Sequence, residues 1–196
     1  MSKKTSYVTK IAMLAAISTV LMLFEFPLPF IAPPFYELDF SEVPVLIGAF
    51  SMGPLAGVII EGIKILMNCL INGTITYGVG EAANFVVGIL YILPAALIYK
   101  RNKTKKNAVI GLICGGFTTV LLSCFVNAFV MLPAYSYFMG MPITVFLGMA
   151  AKIWPSIDTM IEFVLLCVAP FNLIKVVIVS LITILIYKHI SRFLNK

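Results

Sequence analysis

Charge is what this chain has least of. Of its 196 residues, 11% are charged and 61% hydrophobic, where a soluble domain carries about 25% and about 45–50%. So few charged side chains cannot cover the apolar surface of a water-soluble fold of this length. That excludes a soluble enzyme, and it excludes a nucleic-acid binder despite the formal net charge of +6. The chain contains no G-x-x-x-x-G-K-[ST], so it does not hydrolyse ATP through a P-loop. Its one histidine, His189, stands among basic residues near the last positions, where it builds neither H-E-x-x-H zinc chemistry nor an intramembrane Ser–His dyad. Acidic residues at Mg²⁺-binding spacing are also missing. Cys69, Cys114, Cys124 and Cys167 lie in apolar runs without metal-ligand spacing and are expected to be small packing residues. No catalytic residue and no metal site are expected.

What is there is lipid-soluble sequence in long runs. A bilayer-crossing helix needs roughly 20 mostly apolar residues, and backbone in lipid must satisfy its own hydrogen bonds. The runs are continuous rather than alternating, which favours helices over a barrel. The expected spans are about Val8–Phe26, Glu42–Phe50, Pro54–Ile71, Glu81–Tyr99, Ala108–Met131 and Thr159–Tyr187. Val43–Ile60 reads either as one kinked crossing or as two helices divided at Ser51-Met52-Gly53-Pro54, Pro suiting a first helical turn.

The placement of basic residues arbitrates. Lys3, Lys4 and Lys10 precede the first span; Lys100, Arg101, Lys103, Lys105 and Lys106 form one loop; Lys188, Arg192 and Lys196 close the chain. All three clusters face the cytoplasm only if an even number of crossings separates them, which requires the division. The expected fold is an all-α integral membrane protein: one domain over 1–196, six transmembrane helices, both termini cytoplasmic, and Pro/aromatic-rich outer loops. Lysines before Ile11–Phe24 resemble a signal peptide, but no small-x-small site follows, so this segment is expected to remain as the first helix.

Two outer segments carry the aromatics. Phe26–Tyr36 holds Pro27, Pro29, Pro33 and Pro34, which forbid a regular helix and favour a stiff extended path. Leu132–Asp158 carries Pro133, Tyr135, Tyr137, Phe138, Pro142, Phe146 and Trp154. Such segments form an interfacial aromatic belt or a lid over an outward-facing pocket, and two facing each other favour the lid.

Polar residues within spans are functional candidates because inserting them is costly. Glu61 and Lys64 stand at i, i+3, a spacing that permits an internal ion pair. Glu81 and Asn84 lie near an outer end, where a pocket or plain structure accounts for them equally well. Asn127, and Asn172 with Lys175 after Pro170, form the stronger set. Lys175, amid Val, Ile and Leu, demands a partner, either a ligand carbonyl or hydroxyl or a carboxylate. Ala12-x-x-x-Ala16, Gly53-x-x-x-Gly57 and Gly111-x-x-x-Gly115 have the small-xxx-small spacing of close helix approach.

Taken in order, the helix-one alanines, Phe35-Tyr36-Glu37-Leu38-Asp39-Phe40-Ser41-Glu42-Val43-Pro44, Gly53-Pro54-Leu55-Ala56-Gly57, Glu81–Pro94 and Pro170-Phe171-Asn172-x-x-Lys175 resemble the S components of energy-coupling factor (ECF) vitamin transporters. Asn127 and the Asn172/Lys175 pair point to the riboflavin-specific member. The resemblance implies a substrate-binding subunit in a bacterial plasma membrane that captures riboflavin from outside. Its implied partners are membrane lipid, a transmembrane coupling protein and two ATPase subunits. It implies Ala12 and Ala16 as the docking face, the first outer loop as the gate, and no cofactor beyond the transported ligand. Asn127, Asn172 and Lys175 are the expected hydrogen-bonding residues, with Glu81, Asn84, Leu38, Asp39 and Phe40 as further contacts. Riboflavin suits this inventory: it is neutral, its flat ring fits apolar and aromatic walls, and its hydroxyls need few polar groups. Another vitamin remains an alternative, although a cationic one such as thiamine would call for acid rather than a buried Lys. A small membrane enzyme or structural subunit is the alternative from a different class.

Overall fold

A computed structural model describes residues 3–74 and 76–194, and the chain is helical nearly throughout. Helix α1 (Lys3–Met22) leads into a short antiparallel hairpin of β1 (Phe26–Pro27) and β2 (Glu37–Leu38), with Phe26 opposite Leu38. Then come α2 (Glu42–Met52), α3 (Pro54–Asn72), α4 (Val79–Arg101) and α5 (Lys105–Val126). A π turn over Asn127–Met131 joins α5 to α6 (Leu132–Met139), followed by α7 (Ile143–Ala151). The short α8 (Met160–Phe163), a second π turn over Val164–Val168 and α9 (Ala169–Leu194) complete the chain. Lys196 lies outside the described residues, as do the side chains of Lys3, Lys188, His189 and Arg192.

The division between α2 and α3 falls at Gly53, whose φ of 104° strongly favours glycine. Pro54 follows in the first turn of α3, where its missing N–H removes nothing from the helix. The two helices then run back along each other, with Ala49 against Gly57 and Glu42 against Lys64. Gly111 and Gly115 bring α5 onto α4: a Cβ at Gly111 would lie 2.6 Å from the Ala95 carbonyl oxygen, and one at Gly115 2.5 Å from that of Tyr91. The small-residue spacings at Gly57, Gly111 and Gly115 therefore serve packing within the chain.

Among the described residues, five stretches are long and apolar enough to cross a membrane: Lys4–Met22, Pro54–Asn72, Val79–Arg101, Lys105–Met139 and Met160–Tyr187. Helix α2 differs from the expectation. At 11 residues it rises roughly 16 Å, about half of a hydrocarbon core roughly 30 Å thick. Residues 42 to 50 are all buried, so its apolar character answers to neighbouring helices and not to lipid. The second outer segment is also more regular than expected, since Leu132–Met139 continues the fifth helix and α7 is a helix of its own. The π turn makes this continuation compatible with Pro133. Leu132 N–H donates to the Asn127 carbonyl five residues back, and the extra residue in the turn accommodates a ring that clashes in a regular helix. The same device precedes Pro170, where Ala169 N–H donates to the Val164 carbonyl.

The apolar interior forms two cores. One gathers Ile11, Leu46, Phe50, Tyr99, Ala108 and Val179, with Tyr7 and Tyr187 packed against it. Tyr99 and Tyr187 share a hydrogen bond between their hydroxyls. The chain around Lys4 and Lys10, the end of α4 carrying Lys100 and Arg101, and the last helix thus meet at one end. The other core, under the hairpin, joins Leu38, Met131, Leu132, Phe146, Phe163 and Phe171. Cys167 is buried in it. Cys114 is exposed on α5 and departs from the packing role expected of the cysteines.

Candidate functional site

Beneath the hairpin lies a cavity of about 660 Å³, within the roughly 300–1,000 Å³ of small-molecule sites. Phe35, Tyr36, Tyr135 and Phe171 supply aromatic faces to its wall. Asn127, Asn172, Lys175, Glu81 and Asn84, five residues singled out in the sequence, all line it. They arrive from the first π turn, from α9 and from the start of α4. Phe171 and Asn172 directly follow Pro170, at the head of α9 beyond the second π turn.

Asn127, Asn172, Lys175 and Glu81 are each held by a protein partner. Asn127 Nδ2 donates to the Ser123 carbonyl at 2.8 Å, and Asn172 Nδ2 donates to the Val168 carbonyl at 2.9 Å. Both amides are anchored one turn back along their own helices. Tyr36 donates its hydroxyl to Asn127 Oδ1 at 2.6 Å and packs against Phe35, Phe163 and Phe171. Burial pushes its phenol well above the ordinary value, so it remains a donor at any physiological pH. Lys175 Nζ lies 3.0 Å from Asp39 Oδ2. Of the partners the sequence left open for this lysine, the structure supplies the carboxylate. Burial alone would raise Asp39, but the Lys175 and Lys64 charges and a 2.7 Å bond from Ser41 N–H hold it down at about 2.

Asp39 thus reaches the site through Lys175. It is not among the cavity-lining residues, nor are Leu38 and Phe40. Leu38 is buried in the core below, and Phe40 packs on Phe26. Glu81 accepts from the hydroxyls of Thr74 at 3.1 Å and Thr76 at 3.2 Å. Those two threonines also receive Gly78 and Gly80 N–H, so Glu81 organises the loop before α4. Tyr36, Glu25, Asn68 and Asn72 also line the cavity without having been singled out as site residues. Tyr36 was legible only as one aromatic in a proline-rich run. Burial first, then the Glu37 and Asp39 charges, push Glu25 up to about 7, and burial likewise raises Glu37.

The segment over the cavity has a third tether: Trp154 Nε1 donates to the Ile31 carbonyl at 3.2 Å. Ala12 and Ala16 lie far from this chemistry in kind, on the exposed side of α1.

Apolar helices around an aromatic-walled cavity with a few anchored polar groups define a multi-pass membrane protein built to hold a small molecule. The sequence pattern described as "ECF transporter, substrate-specific component" matches residues 6–187, and the chain belongs to that family. It is a transport component of the plasma membrane and not an enzyme. Among related proteins, the "Riboflavin transporter RibU" of Staphylococcus aureus (strain TCH60) is 34% identical over 95% of this chain and 90% of its own length. The "Riboflavin transporter FmnP" of Bacillus subtilis (strain 168) is 32% identical over 98% of this chain and 96% of its own. A solved structure described as "Structure and mechanism of the S component of a bacterial ECF transporter" superposes with a TM-score of 0.76 at 34% identity. It covers 99% of this chain and all of that one.

Proposed function

We propose that this chain is the riboflavin-capturing subunit of an ECF importer. The observation that carries the reading is the convergence of Asn127, Asn172 and Lys175 with Tyr36, Phe35 and Phe171 on one cavity. Flat aromatic and apolar walls suit an isoalloxazine ring, and the amides and ammonium suit carbonyls and ribityl hydroxyls. The names of the related proteins agree with this choice of vitamin. In this reading Asn127, Asn172 and Lys175 bind the ligand, with Glu81 and Asn84 nearby. Leu38, Asp39 and Phe40 act through the position of the hairpin, which is the lid.

The remaining architecture follows. The single domain crosses the membrane six times, α2 completing its pass together with the extended limb before it, and both termini are cytoplasmic. The meeting of the basic segments at one end of the bundle supports this orientation. A transmembrane coupling protein docks on Ala12 and Ala16 of α1, and two ATPase subunits supply the hydrolysis for which this chain has no P-loop.

Riboflavin titrated into the purified, folded protein should lose its fluorescence with one-to-one stoichiometry. Lys175→Ala and Asn172→Ala should weaken the quenching while the protein still expresses. Folded protein that leaves flavin fluorescence unchanged would sink the reading.

A further inference from the structure

Away from the cavity, a second set of charges is buried between α2, α3 and α4. Lys64 Nζ lies 2.9 Å from Glu42 Oε1 and 2.7 Å from Glu61 Oε2. Glu61 is 0% exposed, Lys64 2% and Glu42 4%. None of the three lines the cavity. The contact to Glu42 is a directed hydrogen bond. Glu61 Oε2 is held by the ammonium as an ion pair, while Glu61 Oε1 and Glu42 Oε2 have no hydrogen-bond partner among the described residues. Both carboxylates converge on Gly88 of α4: a Cβ there would lie 2.5 Å from Glu61 Oε1 and 3.1 Å from Glu42 Oε1.

The charges do not balance. The neighbouring buried pair, Asp39 with Lys175, is matched one to one, whereas this set has two carboxylates for one ammonium. A net charge buried in a membrane protein is costly, and a carboxylate oxygen without a donor adds a desolvation penalty. A divalent ion does not resolve this. Calcium takes 6–8 oxygen ligands, and here the ammonium already occupies the space between the two acids. A proton on either acid restores neutrality and needs no further ligands.

We propose that Glu42 and Glu61 form a proton-binding site, one of the two acids carrying a proton beside Lys64, so that this buried set is electrically neutral. Around the pair, α2 contributes Glu42, α3 contributes Glu61, Lys64 and Asn68, α4 contributes Tyr91, and Asp39 and Lys175 add their charges from the hairpin and α9. The site stands independently of which vitamin the cavity takes.

Infrared difference spectroscopy in H₂O and D₂O tests this on the intact protein in lipid vesicles. A carboxylic-acid C=O stretch, distinct from the carboxylate bands and shifted by deuterium, is expected in the unsubstituted protein and lost in Glu61→Gln or Glu42→Gln. Glu61→Gln, a neutral isostere, should retain folding and ligand affinity, whereas Glu61→Ala should lower the melting temperature. Absence of the band from the unsubstituted protein overturns the proposal even if the variants fail to fold, and so does its persistence in both Gln variants. Stability that rises with sodium or potassium and no acid band would assign the site to a metal cation instead.

Discussion

Lys175 stands among valines and isoleucines on α9, and the carboxylate beside it belongs to a residue 136 positions earlier. Removing one member of such a buried pair leaves a charge without a partner, which costs about 3–5 kcal/mol. Asp39→Asn should therefore destabilise the protein by about that much, and Lys175→Met by a similar amount. The double variant should lose less than the sum, as measured by thermal unfolding in detergent. The pair also sets a response to acid. Asp39 is held at about 2, below its unfolded value near 3.9. Its contribution is present above the unfolded value and is lost as pH falls toward 2, an effect on the order of 2–3 kcal/mol. The same unfolding measurement repeated between pH 5 and 2 should lose this increment in the unsubstituted protein and not in Asp39→Asn. The need of Lys175 for a partner was legible from its apolar surroundings. The identity of that partner was not, because only the fold brings the hairpin onto α9. The Glu61–Lys64 spacing was likewise readable at i, i+3, while Glu42, at the start of the second expected span, reached Lys64 only through the α2–α3 turn.

At the scale of elements, sequence legibility followed backbone chemistry. The break at Gly53-Pro54 was readable because glycine and proline act locally. The burial of α2 was not, since a half-length helix within the bundle and a lipid-facing helix have the same apolar composition. The π turns before Pro133 and Pro170 were hidden as well, because proline alone signals an end and not a continuation with one extra residue. The small-residue spacings divide into two uses. Gly115 is closed against Tyr91, so Gly115→Val should overpack α4 against α5 and cost about 1–3 kcal/mol. Ala12 faces outward on α1, and on the proposed reading Ala12→Trp should leave melting temperature and riboflavin affinity unchanged while abolishing uptake with the coupling module. Uptake assays beside unfolding curves separate the two uses, and loss of binding in Ala12→Trp would make that alanine a folding residue.

Across the whole molecule, composition and charge placement identified lipid as the solvent and the helices as its elements, and five of the residues singled out in sequence met on one cavity. The segment above them is tied at three points to three parts of the chain: Ile31 to Trp154, Tyr36 to Asn127 and Asp39 to Lys175. Such a cover cannot peel back gradually, because freeing Tyr36 or Asp39 alone leaves a buried amide or ammonium without its partner. On the proposed reading of the hairpin as the lid, opening requires all three ties to fail together, and that event sets how long a captured molecule stays. Trp154→Phe removes the tie that touches no cavity residue, worth about 0.5–1.5 kcal/mol. In a stopped-flow chase it should release riboflavin roughly 2- to 12-fold sooner, and an unchanged release rate would mean that the clock is set elsewhere.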